Sequence, residues 1–294
     1  MRRAEQIGSA RRDEPVEKQA AMASSRELLD ELRVKPGSAP RLDKRDPDAR
    51  VGAAGKQEGL ERIAKLVERL GVLHTRLYAE ATRSVLLVLQ GMDASGKDGT
   101  IRTVFTGVNP QGCRVQSFKA PTVTELDHDY LWRIHNVCPA RGEIGIFNRS
   151  HYEDVVAVRV RKLAPEEVWR PRYEQICSFE RLLTEEGTAV VKVFLHLSRD
   201  EQRRRLQERI DDPEKRWNFR VGDLDDRALW DDFAAAYEDA LHQTSTDWAP
   251  WHVVPADHNW SRNLAVAEIL VAALERLDPK LPKPDPGIVD ATIV

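Results

Sequence analysis

Ser84 to Thr100 reads SVLLVLQGMDASGKDGT, and this stretch decides how the surrounding chain folds. Its first part, Val85 to Leu89, is a continuous apolar run, typical of a strand that is buried on both faces of a parallel sheet. Gly91, Gly96 and Lys97 follow in the spacing G-x-x-x-x-G-K. Glycines let backbone N–H groups close on an anion, the next helix presents its positive end, and the lysine adds a charge. The stretch therefore predicts a phosphate-binding loop.

One position in this loop departs from the usual pattern. Asp98 stands where most such loops carry the Ser or Thr whose hydroxyl holds magnesium. Thr100 lies two residues further on, and this spacing does not make it a direct replacement. We therefore expect phosphate to bind here beside a metal site that is built differently from that of an ordinary nucleotide hydrolase.

The composition fits one globular domain with appendages. Of the 294 residues, 41% are hydrophobic and 32% are charged, and the formal net charge is −3. A pI of about 6.3 argues against a general nucleic-acid binder, which usually has a basic excess. No apolar stretch approaches the roughly 20 residues that cross a bilayer, and the N-terminus lacks a signal peptide's apolar segment. We expect a cytoplasmic protein that contacts no nucleic acid or membrane.

Strand and helix patterns alternate along the chain. Apolar residues recur at helical spacing from Leu60 to Leu77, just before the first strand. Further strands are predicted at Cys113 to Phe118, Glu143 to Phe147, Ala189 to Leu197 and His252 to Val254. This alternation predicts a three-layer α/β domain with a parallel sheet of about five strands.

Capping residues and prolines mark the helices between these strands. Thr122 with Glu125 forms a capping box that starts a helix through Ile134. The other predicted helices run from Pro165 to about Glu186, from Ser198 to about Asp211, from Arg227 to about Gln243 and from Leu264 to Leu277.

The two ends of the chain carry little apolar sequence. Residues 1–54 are polar and contain four prolines, and residues 26–33 have few apolar side chains with which to dock two possible helical turns. We therefore expect a mostly flexible N-terminal extension over residues 1–54. We also expect a folded domain over residues 55–278 and an extended tail over residues 279–294.

The helix after the fourth predicted strand is unusually basic. Arg205 and Arg209 are four residues apart and share one of its faces. A solvated surface is the simpler interpretation of such a charge run. Because this helix follows a strand of a phosphate-loop sheet, we instead predict a mobile lid over about residues 199–226 that brings arginines over transferring phosphates.

Six segments in chain order resemble one known family: GMDASGKDGT, VNPQGCRVQSFKAPT, ELDHDYLWR, IGIFNRSHYEDV, DDPEKRW and PWHVVPADHNWSRNLAV. This is the second family of polyphosphate kinases, and the resemblance covers about Leu60 to Leu277 and is strongest to class III. It implies a thymidylate-kinase-like P-loop kinase fold with a helical lid. It also implies reversible phosphoryl transfer between inorganic polyphosphate and nucleotides, with AMP and ADP both acceptors in class III.

The resemblance also implies a cofactor and partners. The cofactor is Mg²⁺, with Mn²⁺ as an alternative. The substrates are inorganic polyphosphate and adenine nucleotides, with guanine nucleotides as an alternative, and the expected assembly is a homodimer or homotetramer.

Site residues follow from matching positions. Asp93 and Lys97 match the loop aspartate and lysine tied to catalysis, and Asn148 and Arg149 match the second nucleotide-binding motif. Many relatives have Asp at the position of Asn148, so Asp93 is expected to carry more of the charge on magnesium, with Asn148 as a further ligand. Arg209 completes the predicted catalytic set. The residues predicted to bind phosphate or nucleotide are Gly91, Ala94, Ser95, Gly96, Asp98, Gly99, Thr100, Lys119, Arg133, Asn148, Glu153, Arg205 and Lys215.

Simpler roles stay open for some of these residues. Asp93 also fits the role of a residue that caps the loop. Arg149 also fits the role of a structural arginine at the end of a strand, paired with Glu153 or Asp154. Two other functions fit the same fold, namely an ATP-dependent nucleotide kinase and a non-enzymatic nucleotide switch. The sequence contains no N-K-x-D guanine-reading motif, which disfavours the switch.

Overall fold

Five parallel strands form the centre of the structure, in the order β2-β3-β1-β4-β5. The computed structural model describes residues 25–286 and residue 288. All four pairings between the strands are parallel, so their carboxyl ends share one edge. The predicted α/β class with a five-stranded parallel sheet is confirmed. The strands are β1 (Ser84–Gly91), β2 (Cys113–Ser117), β3 (Ile144–Asn148), β4 (Thr188–His196) and β5 (Trp251–Pro255).

The central strand β1 is buried along its whole length. Its side chains alternate between two apolar cores: Leu87 points into one and Leu86 into the other. A strand that is packed on both faces must be apolar throughout, which explains its continuous apolar run. Its register with β3 sets Asn148 beside Leu89, directly before the loop.

Helices cover both faces of the sheet and complete the three layers. None of the described helices is long and apolar enough to cross a membrane. Short 3-10 helices lie at Leu42–Lys44, Pro110–Gly112, His151–Asp154 and Arg216–Asn218. The α-helices are α1 (residues 25–32), α2 (Lys56–Glu80), α3 (Lys97–Val104), α4 (Val123–Leu126), α5 (Trp132–His135), α6 (Ala157–Val160), α7 (Glu166–Trp169), α8 (Arg172–Glu185), α9 (Arg199–Asp211), α10 (Gly222–Ala228), α11 (Trp230–Thr244) and α12 (Asn259–Leu277).

Two predicted helices are divided in the structure. The capping box of Thr122 and Glu125 is present, but the helix it starts ends at Leu126. The Asp129 side chain then accepts a hydrogen bond from the backbone N–H of Leu131, a local turn that competes with helix continuation. The helix predicted from Pro165 is divided into α7 and α8 at Pro171, whose ring cannot continue a helix.

The segment before α2 is docked, so the prediction that residues 26–33 lack docking contacts is wrong. Leu28 and Leu32 of α1 are buried in the apolar core. The backbone N–H of Val34 donates to the carbonyl oxygen of Trp251 in the edge strand β5. Two leucines and one strand-edge hydrogen bond thus hold a segment whose overall composition is polar.

The predicted N-terminal extension and C-terminal tail are only partly described by the structure. Residues 1–24 lie outside the described residues, so their predicted flexibility stays a prediction. Residues 279–285 form neither helix nor strand, and residues 287 and 289–294 also lie outside the described part.

Candidate active site

The loop between β1 and α3 closes around the side chain of Lys97. The Nζ atom lies 2.8 Å from the carbonyl oxygen of Gly91, 3.2 Å from that of Met92 and 3.4 Å from Ser95 Oγ. The side chain is buried, and this burial, assisted by the charge of Arg149, lowers the pKa of Lys97 to about 8. The predicted order of strand, glycine-rich loop and helix is confirmed, with the lysine at its centre.

Glycine is required at two positions of this loop. Gly91 has φ 152° and Gly96 has φ 96°, backbone conformations that residues with a Cβ rarely adopt. A Cβ on Gly91 would lie 2.8 Å from the carbonyl oxygen of Leu195, and one on Gly96 would overlap the guanidinium of Arg262. The first N–H groups of α3 have no acceptor within the helix. The loop therefore offers backbone donors beside a buried ammonium.

Asp93 and Arg149 form an ion pair beside Lys97. Arg149 also lies 3.3 Å from Glu153, which matches the pairing proposed as its simpler role. Burial alone would raise the pKa of Asp93, but the charges of Arg149 and Lys97 outweigh it and hold this pKa below its usual value. The charge of Glu153 is the largest cause of the raised pKa of Arg149. The charge of Asp93 adds to it, and together they outweigh the effect of burial. The pair is therefore fully charged at neutral pH.

Asn148 and Asp98 meet where β3 ends and α3 begins. Asn148 Nδ2 donates to Asp98 Oδ1 at 2.7 Å. Asn148 is buried, whereas Asp98 is exposed. The amide of Asn148, a further magnesium ligand expected from the sequence, thus meets the carboxylate that stands in place of the usual Ser or Thr. Among the described residues, no group of three or more His, Cys, Asp or Glu side chains is arranged to hold a metal ion.

Both polar groups of Thr100 that the structure pairs have partners inside the protein, so its predicted role in binding phosphate stays a prediction. Its side chain is buried, and its hydroxyl donates to Asn263 Oδ1 on α12 at 3.1 Å. Its backbone N–H donates to the carbonyl oxygen of Gly96 at 2.9 Å. Both polar groups are used inside the protein, so Thr100 anchors α3 to α12.

Arg133 makes its contacts inside the protein, and its predicted place in the phosphate site stays a prediction. It is buried, and it donates to the carbonyl oxygen of Lys119 at 2.9 Å. Its guanidinium lies 3.7 Å from Asp154 and over the ring of Phe118. The Arg133 donors therefore fix the end of β2, and the Lys119 side chain that follows is exposed.

Arg205 also makes its hydrogen bonds inside the protein, and its predicted role in binding phosphate stays a prediction. Its guanidinium donates to the carbonyl oxygens of Ala94 at 3.0 Å, Ala256 at 2.7 Å and Asp257 at 2.9 Å, and to Glu201 at 2.7 Å. One planar guanidinium can donate to several carbonyl oxygens at once, so the N–H groups of Arg205 are used in hydrogen bonds within the protein. Arg205 holds the glycine-rich loop from the side of α9.

Arg209 is the predicted lid arginine whose charge reaches the loop. Its guanidinium lies 3.8 Å from Asp223, and its charge contributes to the lowered pKa of Asp93. Asp226 of α10 also contacts Asp93 and pairs with Arg161 at 2.5 Å. Burial raises the pKa of Asp226, and the Asp93 carboxylate adds to this rise.

Asp226 was missed by the sequence analysis. The acidic run Asp223 to Asp226 was its only signal, and such runs are typical of solvated helix surfaces. Its contact with Asp93 depends on how α10 folds back over the loop.

Lys119 and Lys215, both predicted to bind phosphate, have different surroundings. Lys215 Nζ lies 3.1 Å from Glu208 and 3.1 Å from Asp212, so its charge is already paired. Lys119 has no carboxylate within ion-pair distance in the described part of the chain, and it follows Phe118, whose N–H donates to the carbonyl oxygen of Asn148. Lys119 is the more available cation of the two.

Comparisons with known proteins agree with one another. A family model described as Polyphosphate kinase 2 matches residues 53–282. An AMP/ADP-polyphosphate phosphotransferase of Meiothermus ruber is 55% identical over 258 residues, which cover 87% of this chain and 97% of that protein. An ADP-polyphosphate phosphotransferase of Rhodopseudomonas palustris is 46% identical over 244 residues, or 79% of this chain and 84% of that protein. The crystal structure of polyphosphate kinase 2 from Arthrobacter aurescens superposes with a TM-score of 0.86 and 42% identity, covering 90% and 94% of the two chains.

The lowered pKa of Lys97 predicts how anion binding depends on pH. Its ammonium is charged below about pH 8 and neutral above it. We therefore expect the dissociation constant of inorganic tripolyphosphate to rise above that pH, by up to about tenfold per pH unit. Calorimetric titration from about pH 6.5 to about pH 9.5 measures it. Lys97→Ala, the control, should bind weakly with little change over this range. Parallel pH profiles of the two proteins would contradict the assignment.

Proposed function

The chain belongs to the polyphosphate kinase 2 family, and from this premise we propose that it is a phosphotransferase that moves phosphoryl groups from inorganic polyphosphate to AMP and ADP. The observation that carries the proposal is the buried ammonium of Lys97, enclosed by a phosphate-binding loop and flanked by the Asp93–Arg149 ion pair. This constellation supplies charge for phosphates on both sides of the transfer. AMP would give ADP, and ADP would give ATP.

The reaction requires positioning and charge rather than covalent chemistry by the protein. An oxygen of the nucleotide's terminal phosphate forms a new bond to the last phosphorus of polyphosphate. The bridging P–O bond behind that phosphorus breaks, and the shortened chain leaves with the bridging oxygen. The attacking phosphate is already anionic, so no strong general base is needed. Consistent with this, His151 is buried and bonded to Glu180 at 3.2 Å.

Lys97 and the first N–H groups of α3 hold the phosphate at the transfer point. Arg149 and Arg209 supply charge that stabilises the moving phosphoryl group in the transition state. Asp93 keeps Arg149 oriented before substrate arrives, and its carboxylate limits the repulsion between Arg149 and Lys97. The same residue thus prepares the site without taking a proton from the acceptor.

Magnesium fits the donor atoms at this edge of the sheet. Asp93 and Asp98 offer carboxylates and Asn148 offers an amide oxygen, all hard oxygen ligands, and Mg²⁺ is often held by one or two carboxylates plus phosphates and water. The bond from Asn148 to Asp98 shows that two of these side chains already meet. A bound Mg²⁺, or Mn²⁺ in its place, would neutralise charge on the phosphate oxygens. Cytoplasmic location, homodimeric or homotetrameric assembly and use of guanine nucleotides stay predictions.

The donor can be identified directly. We expect the protein to form ADP from AMP, and ATP from ADP, when long-chain polyphosphate and Mg²⁺ are supplied without ATP. Lys97→Ala should lower turnover by about 10²-fold or more, because it removes a preorganised charge at the transfer point. Chromatography of the nucleotides measures both results. Product that forms only after ATP is added would replace this proposal with an ATP-dependent nucleotide kinase.

Substitutions of Lys119 and Lys215, compared with each other, test where the polyphosphate chain lies on the protein. Lys119→Ala should raise the KM for long-chain polyphosphate by about two- to fivefold, because it removes an unpaired exposed charge. Lys215→Ala should change this KM less, since Glu208 and Asp212 already neutralise Lys215. Initial rates at two chain lengths and two salt concentrations test this. A larger effect at Lys215 would place the chain on the outer surface of the lid instead.

Asn148→Asp tests the magnesium site through stability. The substitution places two carboxylates where Asn148 now donates to Asp98. Without Mg²⁺ we expect the melting temperature to fall by about 2–4 °C, and added Mg²⁺ should restore it. The double variant Asn148→Asp with Asp98→Asn exchanges acid and amide and should melt like the wild type without Mg²⁺. A single variant that is insensitive to Mg²⁺ would mean that the ion binds elsewhere.

A further inference from the structure

Arg262 is a buried cation directly behind the phosphate-binding loop. It extends from α12, and its side chain is 2% exposed. Nη1 donates to the carbonyl oxygen of Ser95 at 3.1 Å and to Asn259 Oδ1 at 2.8 Å. Nε and Nη2 donate to Asn263 Oδ1 at 3.1 Å and 3.0 Å. All three acceptors are neutral.

No carboxylate compensates this charge in the described part of the chain. Two other arginines do have such partners: the buried Arg133 lies near Asp154, and the partly buried Arg205 binds Glu201. Burial, together with the charge of Arg205, lowers the pKa of Arg262 to about 9. A buried cation without an anion is unfavourable, so its retention needs a reason beyond packing.

The loop backbone lies close against this guanidinium. Gly96 lies so close that any Cβ there would overlap Arg262, and a Cβ on Gly99 would lie 3.4 Å from it. The Arg262 bond to the Ser95 carbonyl also fixes the peptide between Ser95 and Gly96. Because C=O and N–H point in opposite directions across a trans peptide, the Gly96 N–H is directed away from Arg262, toward the inside of the loop.

We propose that Arg262 is a positioning residue whose counter-ion is the phosphate bound in the loop. It acts through the backbone, by adding positive charge behind the loop and by orienting the Gly96 N–H toward the anion. This role rests on the proposed function, because it requires phosphate to occupy the loop. A purely structural arginine would instead serve only to join α12 to the loop.

Two substitutions separate charge from packing. Arg262→Gln keeps an amide donor but removes the charge, and Arg262→Lys keeps the charge but loses the planar fork. Arg62→Gln is a matched control, because Arg62 also contacts α12 but is paired with Glu268 at 2.5 Å. Binding of inorganic tripolyphosphate, thermal unfolding, and kcat and KM with polyphosphate are measured for each protein.

The charge role predicts a distinct pattern. Arg262→Gln should bind tripolyphosphate about tenfold more weakly, which corresponds to about 1.4 kcal/mol. Its KM should rise more than its kcat falls. Arg262→Lys should stay within about threefold of the wild-type affinity even if it melts earlier, which corresponds to about 0.7 kcal/mol. Arg62→Gln should melt earlier with unchanged affinity.

Other results would overturn the proposal. If Arg262→Gln and Arg262→Lys both melt earlier but bind tripolyphosphate like the wild type, Arg262 is structural. If Arg262→Gln does not fold, Arg262→Lys decides, because a tenfold loss of affinity there contradicts a role based on charge. Failure of the proposed function is distinguishable: the wild type would then bind no tripolyphosphate, or Lys97→Ala would bind it equally well.

Discussion

Buried positive charge at the carboxyl end of β1 is the feature on which the rest of the structure depends. Lys97 is held on the carbonyl oxygens of Gly91 and Met92, and burial lowers its pKa to about 8. Arg262 lies behind the same loop, and no carboxylate in residues 25–286 pairs with it. Keeping such charges out of water is unfavourable, and under the proposed function a bound phosphate would offset this cost and stabilise the folded protein. The surrounding sheet, packed on both faces, keeps these charges in place.

Helices α9 and α10, which form the predicted lid, contact this charged loop through acids and arginines. Asp226 of α10 contacts Asp93, and the charge of Arg209 reaches the same carboxylate. Arg205, at the start of the lid, binds the loop carbonyl of Ala94. Asp93 therefore connects the loop to the lid and to Arg149. Under the proposed function, an incoming phosphate would compete with Asp93 for the charges of Arg149 and Lys97.

Local sequence patterns predicted most of the fold. The continuous apolar run of β1 and the glycine spacing after it depend on neighbours in the chain, so strand, loop and helix were all predicted. Contacts between distant segments were not. The hydroxyl of Thr100 donates to Asn263, 163 residues away, a contact with α12 that no local pattern predicts. The docking of α1 was also missed, because two leucines in a polar segment are buried only when the finished core offers a groove.

A crystal structure with bound inorganic tripolyphosphate would show whether the buried ammonium of Lys97 holds phosphate. We expect a phosphate in the loop, with Lys97 Nζ and the Gly96 N–H within about 2.7–3.2 Å of its oxygens. The ammonium should have turned from the carbonyl oxygens of Gly91 and Met92 toward the anion. Tripolyphosphate found instead on the outer face of α9, with Lys97 still bound to the Gly91 carbonyl, would mean that the loop is not the phosphate site.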